Sequence, residues 1–193
     1  MKHERRVFDG KEIRAEEDSD GRSLVGYAAV FDAWSVDLGG FVERVKKGTF
    51  ASSLSGSRDV KALWSHESHL VLGSTRNGTL KMEEDEIGLK FRVLLPDTSV
   101  GRDAYVSVSR GDVTGVSFGF DTIRDSWERG TDVPRRTLLE ATLHEISPGV
   151  AFPAYPQTDV AVRSLSQWKE ADERGRLARA AVRNRQLDLA ERA

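Results

Sequence analysis

The chain has 193 residues, with 29 Lys and Arg against 31 Asp and Glu, and no cysteine. A formal charge of −2 excludes a global polycation for nucleic acid. The missing thiols exclude disulfides, thiolate catalysis and Cys-ligated zinc, which fits a reducing compartment. No run approaches the roughly 20 apolar residues of a membrane helix. The charged opening Met1-Lys2-His3-Glu4-Arg5-Arg6 does not lead into a signal peptide. These totals point to a soluble, intracellular protein with one well-buried domain.

In chain order, most segments punctuate like a β protein. Lys11 to Glu17 and Arg22 to Phe31 flank the turn cluster Asp18-Ser19-Asp20-Gly21 and are expected to pair as strands. Gly39-Gly40 opens a further strand, Phe41 to Val45. Gly48 to Leu54 reads as a short helix with Thr49 as N-cap and Phe50 and Leu54 on one side. Asp59 to Trp64 returns to strand and delivers His66 at its end. Asn77-Gly78 is a hairpin signal and Asp85-Glu86-Ile87-Gly88 a second turn. Thr79 to Met82 lies between them, and Leu89 to Leu95 follows with alternating apolar residues.

Pro96-Asp97-Thr98 caps a helix to about Arg110, with Val100, Ala104 and Val108 on one side. Val113 to Ile123 and Arg136 to Ser147 form two long strands around a polar loop, Arg124 to Pro134. Pro148, Pro153 and Pro156 interrupt regular pairing beyond them. Ser166 to Ala193 then holds seven basic and five acidic residues with Leu, Ala and Val at helical spacing. The expected organisation is one domain over residues 1–164 and a charged tail, helical or partly disordered, over 165–193. The fold class is mainly β, with a few peripheral helices.

Two short motifs carry chemistry. Leu63-Trp64-Ser65-His66-Glu67 and Thr114-Gly115-Val116-Ser117-Phe118-Gly119-Phe120 each set one reactive side chain in a strand-like segment. A histidine that accepts a proton and a serine that attacks a carbonyl are the parts of a His/Ser hydrolase. Gly115-Val116-Ser117-Phe118-Gly119 spells the nucleophile elbow of α/β-hydrolases, but Phe118 and Phe120 continue a strand where that elbow needs a helix. His66-Glu67-Ser68-His69 falls one residue short of the zincin spacing, so both remain loop histidines in this reading and no metal or cofactor is expected. Either His144 or Glu145 could orient His66. Neighbours on a regular strand face opposite ways, so at most one of them points at the site.

In order, Gly26-Tyr27-Ala28-Ala29-Val30-Phe31, Gly40-Phe41-Val42-Glu43 with Gly48-Thr49-Phe50, and Ala62-Leu63-Trp64-Ser65-His66 form the first half of a motif series. Leu72-Gly73-Ser74-Thr75, Asp85 to Leu89, Gly111 to Phe120, His144-Glu145-Ile146-Ser147 and Pro153-Ala154-Tyr155-Pro156 complete it. Together they resemble the prohead maturation proteases of tailed bacteriophages and related gene-transfer particles, over roughly Leu24 to Ser164. Pro148-Gly149 departs from the pattern where a more regular strand exit is expected.

The resemblance implies a serine endopeptidase with a mostly antiparallel β-barrel similar to herpesvirus assemblin. His66 then matches the catalytic histidine and Ser117 the nucleophile. Glu145 is favoured as the third member, although assemblin's second histidine keeps His144 in play. The implied substrates are the scaffolding region of the major capsid protein and the protease itself, inside the assembling prohead in the host cytoplasm. Neither nucleic acid nor membrane is an implied partner, and homo-oligomerisation is compatible with the likeness. The rival readings are an inactive structural protein of the capsid and an elbow-type esterase using Ser117 with His144.

Overall fold

In the computed structural model, residues 3–8, 13–129, 132–150 and 159–191 are described. Their strands are β1 (Glu4–Phe8), β2 (Arg14–Asp18), β3 (Gly21–Val30), β4 (Val42–Val45), β5 (Lys61–Leu63) and β6 (Val71–Ser74). Further along come β7 (Leu80–Glu84), β8 (Gly88–Leu94), β9 (Gly115–Glu128) and β10 (Arg135–Val150). The helices are α1 (Ala51–Ser55), α2 (Ser99–Ser109) and α3 (Asp159–Glu191). None of the described helices is long and apolar enough to cross a membrane.

The strands form two sheets. One runs β1-β9-β10-β5-β6, with β4 also pairing β10; the other runs β2-β3-β8-β7. The long strand β10 is the spine of the first sheet. It pairs antiparallel with β9 along one edge and divides the other edge between β4 and β5, both parallel to it. Leu24, Phe91 and Val93 of the second sheet pack against Val116, Phe118, Phe120, Leu143 and Ile146 of the first in one core. Phe118 meets Phe50 edge-on at 5.4 Å between ring centroids, a favourable geometry for buried aromatics.

The mainly β expectation is met, with a few helices, but the described strands do not close into a barrel. Strand β6 ends in a tight turn, in which Gly78 N donates to Thr75 O at 3.1 Å. There the Ser74 N–H donates to Thr79 Oγ1 at 2.9 Å and the same hydroxyl donates back to Ser74 O at 3.3 Å. The Asn77-Gly78 turn therefore carries the chain from one sheet to the other rather than joining a hairpin: β6 pairs β5, while β7 pairs β8. Strands β1 and β6 have no counterpart in the periodicity reading.

Local expectations divide similarly. Thr98 caps α2 by accepting from Gly101 N. Thr49 does not cap α1, whose N-cap is Phe50; its hydroxyl donates instead to Lys46 O at 2.6 Å and Leu138 O at 3.0 Å, fastening the turn to β10. The polar loop after Ile123 is shorter than predicted, because β9 and β10 stay paired out to Glu128 and Arg135. Trp127 explains that extension: it lies 5.0 Å from Phe41 and stacks on Trp168 of α3 at 5.3 Å. Pro148 does not end β10, which continues to Val150 through a register shift. Pro153 and Pro156 fall outside the described residues.

The strongest polar feature is a buried cluster of charges. Arg6 donates to Glu43 Oε1 at 2.7 Å, Glu43 Oε2 at 2.9 Å and Glu4 Oε2 at 2.7 Å. Arg136 donates to Glu4 Oε2 at 2.8 Å, Glu43 Oε2 at 2.9 Å, Thr122 Oγ1 at 2.8 Å and Asp125 Oδ2 at 2.7 Å. The four ions Glu4, Arg6, Glu43 and Arg136 are all buried. Burial alone would raise the Glu4 carboxyl, but the hydrogen bond and charge of Arg136 and the charge of Arg6 outweigh it and hold the group at about 2.

Removing one partner strands a buried charge, so Arg136→Met should cost about 3–5 kcal/mol in chemical denaturation. Because the folded Glu4 carboxyl titrates below its unfolded value, its contribution is present above about 4.5 and fades as the pH falls toward about 2. Thermal unfolding across that window should lose part of its acid slope in Glu4→Gln.

Candidate active site

The register of β1, β9, β10 and β5 lays out a row of residues on the outer face of the first sheet. Arg5 lies opposite Gly119, Gly119 opposite Glu145, and Glu145 opposite Lys61. One step along, Val7 lies opposite Ser117 and Ser117 opposite Ser147. The period of two turns Val116, Phe118 and Phe120 into the core and leaves Ser117 and Gly119 on the other side.

His66 reaches this face from a tight turn after β5. Ser65 and His66 both take left-handed backbone, with φ of 52° and 65°. Such non-glycine residues cost on the order of 1–3 kcal/mol each. The offset comes from β10. Ser65 N donates to Pro148 O at 3.3 Å and its hydroxyl to Gly149 O at 2.7 Å, while His66 N donates to Ser147 Oγ at 3.1 Å. Hydrogen bonds are each worth about 0.5–1.5 kcal/mol net, comparable with the strain they hold. Gly149, with φ of +103°, adds room: a Cβ there would lie 2.5 Å from the Trp64 ring.

The turn aims His66 at Glu145, with Nδ1 and Oε1 2.6 Å apart. An Nδ1–H donated to the carboxylate leaves Nε2 as the proton-accepting nitrogen. Arg5 Nε stands 3.6 Å from the same oxygen. Burial pushes the Glu145 carboxyl up, but the hydrogen bond and charge of His66, with smaller help from Arg5 and His3, outweigh it and lower its pKa. Gly119 makes the pairing possible, because a Cβ at that position would approach Glu145 Cγ and Oε1 to 2.8 Å. Ser117 is fully buried, and its Oγ has no hydrogen-bond partner among the described residues. A chemically useful pair and a buried, uncommitted hydroxyl thus share one face.

The two candidates for orienting His66 are separated here, but not by facing opposite ways. A register shift between Leu143 and Glu145 inserts His144 as an extra residue. The bulge lets His144 hydrogen-bond Asp121 of the same outer row, Nε2 to Oδ2 at 2.9 Å, while Glu145 takes His66. His69 is exposed, 3.7 Å from Glu67, and apart from this group. The sequence reading missed Ser147 and Arg5. Ser147 was accessible to it, since it lies two residues beyond Glu145 and so shares its face. Arg5 was not, because nothing in the N-terminal run signals a strand.

The chain itself belongs to a defined class. The chain is a member of the caudovirus prohead serine proteases, whose family profile matches residues 10–173. Among individual proteins it is similar to the prohead protease of Enterobacteria phage HK97, 30% identical over 159 residues. That alignment takes in 80% of this chain and 65% of the phage protein, so the chain spans just under two thirds of its relative. No solved structure matches it.

Gly119→Ala forces Glu145 away from His66. In proton NMR the downfield Nδ1–H signal expected of so short a hydrogen bond should then disappear, while Gly175→Ala in α3, where a Cβ makes only an ordinary contact with the Arg179 side chain at 3.5 Å, should retain it.

Proposed function

We propose that the chain is a serine endopeptidase of capsid maturation in which Ser117, His66 and Glu145 act together. The observation that carries the reading is the 2.6 Å bond from His66 Nδ1 to Glu145 Oε1, made on the sheet face that also holds Ser117. In the mechanism, Ser117 Oγ attacks a peptide carbonyl as His66 Nε2 takes its proton. The same proton then passes to the leaving amine, and water hydrolyses the acyl-enzyme by the reverse use of His66. Glu145 fixes the tautomer and stabilises the imidazolium that forms. Ser117 is enclosed, so peptide attack follows an opening of its cover.

The substrates on this reading are the scaffolding region of the major capsid protein and the protease itself, within the assembling prohead in the host cytoplasm. Residues 1–164 form the peptidase domain and 165–193 a tail used in assembly. Family membership and the similarity to a prohead protease support this assignment. The enclosed Ser117 hydroxyl favours one second reading, a non-catalytic capsid-assembly protein on the same scaffold.

A fluorophosphonate probe discriminates between them: it should label the wild-type chain and not Ser117→Ala, and a folded wild type that stays unlabelled would favour the structural reading. In cleavage of co-expressed capsid protein, His66→Ala should abolish product. Glu145→Gln should lower turnover roughly 10⁴-fold, by analogy with loss of the orienting carboxylate in other triads. His144→Ala should do far less; the reverse ordering would move the orienting role to His144.

A further inference from the structure

Beyond Glu145 on the same outer face, a second group of titratable residues has no part in the proposed peptide chemistry. His3 Nδ1 lies 2.8 Å from Asp121 Oδ1, and His144 Nε2 lies 2.9 Å from Asp121 Oδ2. The two imidazole rings are 4.1 Å apart between centroids. One donor atom from each residue falls within 4.8 Å of the other two. The side chains keep 49%, 31% and 24% of their exposure for His3, Asp121 and His144, so small ions reach them from solvent. The three residues come from the position just before β1, from β9 and from the β10 bulge.

We propose that His3, Asp121 and His144 form a binding site for a divalent transition-metal ion of the zinc class. Two imidazole nitrogens and one carboxylate are the donor set that borderline ions prefer, and they leave a fourth tetrahedral position for water. Bonds of about 2.0–2.2 Å would separate neighbouring donors by roughly 3.3 Å, so the donor atoms, now within 4.8 Å of one another, draw together around the ion as the histidine–carboxylate hydrogen bonds open. Each neutral imidazole moves its proton to its other ring nitrogen as it turns a lone pair to the metal, so no net proton need leave. The bound ion clamps the N-terminal strand to β9 and β10, one residue from Glu145. This inference rests on the cluster alone and stands whether or not the chain is a peptidase.

The test uses the full chain carrying Ser117→Ala, which removes self-cleavage. Co²⁺ titration followed by visible absorption should show tetrahedral d–d bands saturating at one ion per chain, and Zn²⁺ should displace them. Zn²⁺ should also raise the melting temperature. Both His3→Ala and His144→Ala should weaken Zn²⁺ affinity at least tenfold, whereas His69→Ala should leave it unchanged. Circular dichroism establishes that each variant is folded, and His3→Gln repeats the measurement at the exposed end of β1, where the fold is least at risk. Absence of one-to-one binding, or binding that survives either histidine substitution in a folded variant, would overturn the proposal.

Discussion

Four ions held out of water by one another set the frame of this protein. Glu4, Arg6, Glu43 and Arg136 come from β1, β4 and β10, and Thr122 and Asp125 bring in β9. Single buried charges would each be prohibitively costly, so these strands are compatible only when assembled together. Two guanidiniums alternate with two carboxylates, and each carboxylate accepts from both. The cluster thereby specifies which strand lies beside which, where apolar packing alone would tolerate slippage. It also explains why so polar an N-terminal run forms a strand: Glu4 and Arg6 turn inward to the cluster, while His3 and Arg5 belong to the opposite face.

The legibility of the sequence follows the range of the forces involved. Local signals were sufficient for β3, β8 and α2, where alternation, an Asp-rich turn and the Thr98 cap act over a few residues. They failed for β1, whose identity depends on Glu43 and Arg136, far away in the chain. They failed again at Asn77-Gly78, a sound turn whose flanking strands pair with other partners. The expected barrel is replaced by two sheets, an arrangement that local alternation does not distinguish from a closed one.

The site shows the same division. The motifs single out His66 and Ser117 as candidates, and alternation leaves Glu145 and His144 as rivals for the partner of His66; the structure gives His66 to Glu145. Strict strand alternation would have allowed only one of these to face the site. The bulge at His144 removes that exclusivity, and the choice falls instead to space: Gly119 leaves a gap that Glu145 fills, while His144 is drawn to Asp121. A glycine in the neighbouring strand, rather than either residue's own position, therefore decides which side chain meets His66.

The left-handed turn at Ser65 and His66 has a consequence in time as well as in space. Its hydrogen bonds come from residues some 80 positions later, and the His66–Glu145 contact spans 79 residues of chain. Contacts that close such long loops form late, after the intervening strands have found their places. Until β10 is laid down, nothing compensates the strained turn, and His66 has neither its orientation nor its carboxylate. A chain emerging from the ribosome, or one whose sheet has come apart, consequently carries His66 without its bond to Glu145 and without the turn that aims it.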